Sequence, residues 1–256
     1  MATAADAPAD TAQREARFFF IMACVMAATV VSGFGLNALM GRSTIHVPWI
    51  YHVHGLTFMG WTGLYLLQNT LVFRGNIALH RRIGKLAALF IPAMVVLAIW
   101  LSFVTLQVLG GPPFFAQAEF LFVNIAHIIV FAMLAGWAIA KRRETDWHRR
   151  LMFGAMATVA APGLARLLPL PLTIPYTFWV IMVASMVFPA IAMIVDKRRY
   201  GSIHKAWWWT LALPLASVVV GEAIASTDAA KAYVAAHVEG TPGGERPAEA
   251  FLPPGF

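Results

Sequence analysis

Residues 54–85 read HGLTFMGWTGLYLLQNTLVFRGNIALHRRIGK, and residues 127–152 read HIIVFAMLAGWAIAKRRETDWHRRLM. Each stretch has a histidine near the start of an apolar run and a His-Arg-Arg triplet just beyond its end. A run of about 20 apolar residues is long enough to cross a bilayer as a helix. Ionisable side chains at membrane depth are rare and usually functional. This near-repeat therefore predicts two membrane helices that carry paired functional histidines.

The composition of the whole chain indicates an all-α, polytopic membrane protein. Its 256 residues are 60% hydrophobic and 12% charged, with a mean hydropathy of +0.70. A soluble domain usually carries about 25% charged residues. The net charge of +7 is therefore interpreted as basic loops that orient helices, and no nucleic-acid partner is expected. The single cysteine, Cys24, excludes an internal disulfide and a multi-cysteine metal site.

The apolar runs predict seven transmembrane helices. They cover residues 18–40, 48–73, 84–109, 116–140, 150–170, 175–195 and 206–225. With the N-terminus inside, fifteen of the 19 basic residues fall on the inner side. The four on the outer side are Arg42, Arg166, Lys231 and Arg246. This asymmetry favours an orientation with the N-terminus inside and the C-terminus outside.

The segments outside the helices give a simple domain organisation. Residues 1–17 are expected to be a disordered N-terminal tail, and residues 18–225 a single membrane domain. Residues 226–256 form an extramembrane C-terminal tail, with a short helix near 228–238 and an otherwise loose or partner-bound extension. Pro162 predicts that the fifth helix is kinked or short. The Trp207-Trp208-Trp209 run is typical of an anchor at the membrane interface.

His54 and His127 are the first candidate site. His54 lies about 9 Å inside the outer end of helix two. His127 lies about eleven residues inside the outer end of helix four. Each shares a helix face with aromatic residues, which suits a flat aromatic cofactor. We expect haem b, with both imidazoles as axial ligands of the iron. The alternative is that each histidine only makes a hydrogen bond between helices.

His80 and His148, in the two triplets, are the second candidate pair. His80 follows His54 by 26 residues, about 39 Å of helix, and His148 follows His127 by 21 residues, about 32 Å. The hydrocarbon core is only about 30 Å thick, so both belong at the inner surface. The triplets are then either basic stop signals that contact lipid phosphates or the ligands of a second haem.

Two further polar residues are assigned to the outer-half site. Arg166 lies near the outer end of helix five, and an arginine at this depth needs an anion. That anion is either Glu119 or Glu222, or else a haem propionate or an anionic substrate. Asn124 lies one turn before His127 on helix four and is included among the cofactor-binding residues.

Three short motifs carry a family resemblance. They are HxHG at 52–55, LHRRIG at 79–84, and WHRRLM at 147–152 followed by ARLLP at 165–169. Over roughly residues 50–170 the chain resembles a family of uncharacterised bacterial multi-span proteins that is similar to b-type cytochrome membrane proteins. The resemblance implies histidines from alternate helices holding two haems. The chain departs from that pattern because predicted helices three and five carry no histidine.

The leading hypothesis is a haem b electron-transfer protein, a membrane oxidoreductase that exchanges electrons with a quinone or a small reductant. Bis-histidine ligation closes both axial positions, which favours electron transfer. One alternative is a non-catalytic accessory subunit of a larger membrane complex, which would bind partner subunits. Another is a metal-dependent membrane enzyme of the seven-helix hydrolase type, although residues 206–225 lack the histidine pair of that family. A retinal protein would need a lysine inside the same helix.

Overall fold

The computed structural model describes the backbone of residues 6–252 and the side chains of residues 11–252, and all its regular structure is helical. The described range contains ten α-helices: α1 (Asp6–Leu39), α2 (Trp49–Phe73), α3 (Ile77–Gly84), α4 (Ala87–Leu109), α5 (Gln117–Ala140), α6 (Thr145–Ala165), α7 (Thr177–Ser185), α8 (Val187–Tyr200), α9 (Lys205–Ala225) and α10 (Asp228–Val238). Short 3₁₀ turns cover Leu170–Thr173 and Pro242–Glu245.

Five helical stretches are long and apolar enough to cross a membrane. They are Thr11–Leu39, Ala87–Leu109, Gln117–Ala140, Thr177–Tyr200 and Lys205–Ala225. The stretch from Thr177 to Tyr200 combines α7 and α8, which meet at Met186. Helices α2 and α6 have 25 and 21 residues but carry more polar side chains. All seven predicted apolar runs are therefore helical, and five of them meet the criteria for a membrane span.

The fifth predicted run is displaced along the chain. Helix α6 begins at Thr145 and ends at Ala165, five residues earlier at each end than the predicted 150–170. Pro162 lies inside its last turn, and the Leu170–Thr173 turn follows after Pro169. Because the helix starts early, His148 lies within it, so the prediction that this helix carries no histidine is wrong.

The helices pack around α5 and α6. Helix α5 contacts α4, α6 and α9, while α1 packs on α2 and α6. Large side chains at the centre are fully buried, among them Phe131, Leu134, Phe153 and Met156. Near their C-terminal ends α1 and α6 cross closely, because a Cβ atom on Gly163 would lie only 2.7 Å from the Cα of Val30. Small residues at such a crossing allow two backbones to approach.

The chain direction gives the bundle two different ends. One end contains helix α3 and the starts of α1, α6 and α9. We call it the basic end, because fifteen of the 19 basic residues belong to it. The opposite end, where α4, α6 and α9 finish and α10 lies, is called the tail end.

The N-terminal region differs from its prediction. The predicted disordered tail of residues 1–17 is helical from Asp6 onward, and residues 1–5 lie outside the described range. Glu15 is buried and forms an ion pair with Arg149 of α6. A buried carboxylate that meets a cation fixes this segment on the bundle, which composition alone does not reveal.

The C-terminal tail is only partly as predicted. The short helix near 228–238 is confirmed as α10. Residues 239–252 are not a loose extension, because they fold back onto the turn between α4 and α5. Arg246 donates to the carbonyl oxygens of Gly110, Gly111 and Phe115. The backbone continues this contact, with Phe251 N–H donating to Pro113 O at 2.9 Å.

Candidate functional site

The structure brings the two His-Arg-Arg triplets together at the basic end. His80 lies on α3, which a turn at Gly75, with φ of 74°, folds back beneath the end of α2. His148 lies in the first turn of α6. The centroids of the two imidazole rings are 6.4 Å apart, and the ring planes make an angle of 79°. Two imidazoles from separate helices thus lie close together.

Hydrogen bonds orient both rings from behind. His148 Nδ1 lies 2.7 Å from the carbonyl oxygen of Ala138, so Nδ1 donates to that oxygen. In the neutral ring, Nε2 then keeps a free electron pair. The side-chain amide of Gln68 lies 2.5 Å from His80 Nδ1. Its oxygen can accept from a protonated Nδ1, or its nitrogen can donate to a bare one. A backbone or side-chain partner on one ring nitrogen is the usual support of a ligating histidine.

Electrostatics keeps His80 in the form that can act as a ligand. Burial, and next the proximity of His148 and Arg81, lower the pKa of His80, although the contact with Gln68 opposes this. A histidine must be neutral to bind a metal, because the coordinating nitrogen donates its electron pair. The surroundings of His80 therefore favour the neutral imidazole, which can bind a metal, over the protonated imidazole.

The arginines of the two triplets have different roles. Arg81 and Arg82 are exposed at the basic end. Arg150 is 2% exposed and makes two 2.9 Å hydrogen bonds to the carboxylate of Asp196 on α8. Trp207 Nε1 donates to the same carboxylate at 2.8 Å. The second triplet is thus part of a buried ion-pair network, whereas the first presents its charge to the surroundings.

Trp207 does not behave as an interfacial anchor. It is fully buried between α6, α8 and α9, whereas Trp208 and Trp209 are exposed. The sequence interpretation is therefore wrong for Trp207 and stays a prediction for Trp208 and Trp209. The missed signal is Asp196, a carboxylate directly after an apolar run that needs a donor to remain buried.

His54 and His127 face different neighbours. The ring of His54 stacks on Phe58 with centroids 4.1 Å apart, and its buried Nδ1 makes no hydrogen bond of normal geometry. Both ring nitrogens of His127 lie 3.2 Å from protein oxygens, those of the Ser217 hydroxyl and the Thr158 carbonyl. His127 thus joins α5 to α6 and α9, the interhelical bonding that the sequence leaves open as the alternative to haem.

The two other predicted site residues also bond locally. Asn124 donates to the carbonyl of Phe120, one turn earlier in α5. Arg166 donates to the carbonyl of Pro162 at 2.7 Å, and its guanidinium carbon lies 3.9 Å from the ring centroid of Phe34. Glu222 accepts instead from Trp179 Nε1. Among residues 11–252 no carboxylate lies within 4 Å of Arg166, so the predicted ion pair with Glu119 or Glu222 is wrong.

The available ligand atoms limit the kind of metal site. Within the described range, no group of three or more histidine, cysteine, aspartate or glutamate side chains is close enough to hold an ion. Catalytic zinc normally has three protein ligands, so a bare metal ion finds too few here. The pair of His80 and His148 suits an iron whose other four ligands come from a macrocycle.

Comparison with known proteins adds no assignment, since no family model, no curated protein and no solved structure matches this chain.

Proposed function

We propose that the chain is a seven-span protein of the bacterial inner membrane with its basic end in the cytoplasm. At about 1.5 Å per residue, the 25 residues of α2 and the 21 of α6 give lengths of about 37 and 31 Å. Both suffice for a hydrocarbon core of about 30 Å. Fifteen of 19 basic residues at one end support this orientation, with the N-terminus inside and the tail outside.

Within this topology we propose a haem b electron-transfer protein whose axial ligands are His80 and His148. The observation that carries the proposal is the distance of 6.4 Å between the two ring centroids. Metal–nitrogen bonds are about 2 Å long, so two imidazoles at this separation could hold one iron between them. Haem b closed by two imidazoles supplies one-electron transfer rather than oxygen binding.

The surrounding residues have defined tasks in this proposal. The carbonyl of Ala138 fixes the tautomer and direction of the His148 ring, and the Gln68 amide contacts His80 at Nδ1 and holds the direction of its ring. Arg81 lies within electrostatic range of His80 and is exposed at the basic end, so it would pair with a propionate. An electron partner, either a quinone or a small reductant, would reach this site from the cytoplasmic side.

The proposal keeps to one haem. A second haem on His54 and His127 would require His127 to exchange a hydrogen bond with Ser217 or Thr158 for a bond to iron. It would also require His54 to turn from Phe58 toward the α5 helix. Haem binding by His54 and His127 would therefore require side chains to leave their present contacts. Single substitutions can show which of the two histidine pairs holds haem.

The test is the absorption spectrum of protein purified in mild detergent from cells supplied with a haem precursor. We expect one haem per chain, a Soret band and a sharpened α band after dithionite reduction. His80→Ala and His148→Ala should each abolish the low-spin spectrum, while His54→Ala and His127→Ala retain it.

Size-exclusion profiles control for folding of each variant. Protein without haem would refute the proposal. Loss of the spectrum only in the His54 and His127 variants would move the haem to the tail end of the bundle.

A further inference from the structure

Arg166 has no carboxylate partner among the side chains of residues 11–252. It follows the last residue of α6, and its guanidinium lies over the ring of Phe34 from α1. One nitrogen donates to the carbonyl of Pro162, while the buried Nε makes no hydrogen bond. Glu222 accepts from Trp179 instead, and no carboxylate of the described residues lies within 4 Å of the Arg166 guanidinium.

An anion bound at the Arg166 guanidinium would add a favourable electrostatic interaction that the described residues do not supply. An arginine presents five donors in a fork that matches the oxygens of phosphate and carboxylate. The contact with a phenyl ring and one carbonyl occupies only part of this capacity. In surroundings of low dielectric constant, an unpaired cation gains more from an added anion than it would in water.

The position of Arg166 decides which anion is available. Helix α6 is about 31 Å long, and the proposed topology that this inference uses makes it a span, so Arg166 lies at the level of lipid phosphates. The glycine crossing between Gly33 and Gly163 holds α1 against α6 just below it. Beside the guanidinium, Phe34 and Leu167 are 36% and 41% exposed, and both offer apolar surface to an acyl chain.

We propose that Arg166 binds the phosphate group of a phospholipid from the outer leaflet, in the notch between the ends of α1 and α6. The guanidinium donates to the phosphate oxygens while Phe34 supports it from beneath. The acyl chains lie along the exposed apolar residues of α1, which include Val31 at 60% exposure.

Native mass spectrometry of detergent-purified protein, titrated with defined lipids, tests this proposal. We expect phosphatidylglycerol and phosphatidylcholine to bind, and diacylglycerol, which lacks the phosphate, not to bind. Arg166→Gln should weaken phospholipid binding about tenfold, the effect of losing one charge-assisted hydrogen bond. Arg166→Lys should retain part of the affinity. Arg42→Gln, an exposed arginine at the same end, is the matched control and should bind as the wild type does.

Inorganic phosphate separates the two sources of the ligand. If millimolar inorganic phosphate displaces phospholipid, the site takes a free anion and the lipid assignment is overturned. Equal binding by the Arg166→Gln variant, or equal binding of diacylglycerol, also overturns it. The Soret band reports the haem site in the same samples, so a missing haem and a missing lipid site are told apart. An unchanged Soret band in Arg166→Gln shows that the variant is folded.

Discussion

Replacing Asp196 by asparagine should destabilise the bundle, because Arg150 would lose its counter-charge. The guanidinium of Arg150 is almost fully buried and receives its two shortest contacts from the Asp196 carboxylate, at 2.9 Å each. Asparagine keeps the shape and one acceptor oxygen for Trp207, but it removes the negative charge. The substitution therefore isolates charge from packing.

The magnitude follows from what remains around Arg150. Breaking a buried ion pair by removing one partner costs about 3–5 kcal/mol. The Glu15 carboxylate stays 3.7 Å from Arg150, so we expect the lower end, about 3 kcal/mol. At about 2–4 °C per kcal/mol for a chain of this size, Tm should fall by about 6–12 °C.

Thermal unfolding in detergent, followed by circular dichroism, measures this change. Lys141→Gln is the control, since it breaks an exposed ion pair with Glu144 and should cost less than about 1 kcal/mol. The double variant Arg150→Met, Asp196→Leu should recover only part of the lost stability, because it removes both charges but leaves the buried Nε1 of Trp207 without its acceptor. An Asp196→Asn variant with the Tm of the wild type would refute the reasoning, as would a double variant less stable than the single one.

Three further predictions concern packing, the tail and pH. Gly33→Ala should cost about 1–3 kcal/mol, because its Cβ would overlap the Gly163 carbonyl and force α1 from α6. Gly35→Ala meets nothing within 4 Å and should leave Tm unchanged or raise it, so equal effects of both changes would contradict the close crossing. Arg246→Ala should speed proteolysis of the tail about tenfold, since three hydrogen bonds to backbone carbonyls are lost, and an unchanged cleavage rate would argue against the docked tail. The lowered pKa of His80 means that the unfolded chain binds its proton first as pH falls, so stability should decline below about pH 6.5. The dependence of Tm on pH between 5 and 8 should be shallower in His80→Gln, and identical profiles would exclude this histidine as the cause.

The apolar runs predicted the helices because length and hydropathy are local properties of the chain. All seven runs are helical. The boundaries that differ by five residues or more are the start of α1 at Asp6 instead of residue 18, both ends of α6, and the end of α8 at Tyr200 instead of residue 195. In α6 the polar segment 145–150 starts the helix early. Membrane-span criteria are met by five helical stretches rather than seven, since α2 and α6 mix polar with apolar side chains. The seven-span topology therefore stays a prediction.

Spacing assigned His80 and His148 to the same surface, but it could not show that their rings lie 6.4 Å apart. Counting 1.5 Å per residue treats His54 to His80 as one straight helix, but Gly75 reverses the chain and α3 returns His80 toward Gln68. Whether two side chains meet depends on such turns and on which helices are neighbours. The same limitation hid the partnership of Arg150 with Asp196, 46 residues away.

Helix α6 has a consequence for how the protein is made. Thirteen of its 21 residues are buried, mostly alanine, glycine and other small side chains, and it is absent from the stretches apolar enough to span alone. If α6 is one of the seven spans that we propose, such a segment should partition poorly into lipid by itself, and its entry into the bilayer should depend on helices already there. During synthesis α1 and α5 are available as partners, whereas α7 and α9 emerge later. Fused singly to a reporter, α6 should integrate less efficiently than α5, and should integrate better when α1 to α5 precede it. On the proposed topology, α6 therefore needs neighbouring helices in order to insert during biogenesis. Equal integration of the two isolated segments would disprove that dependence.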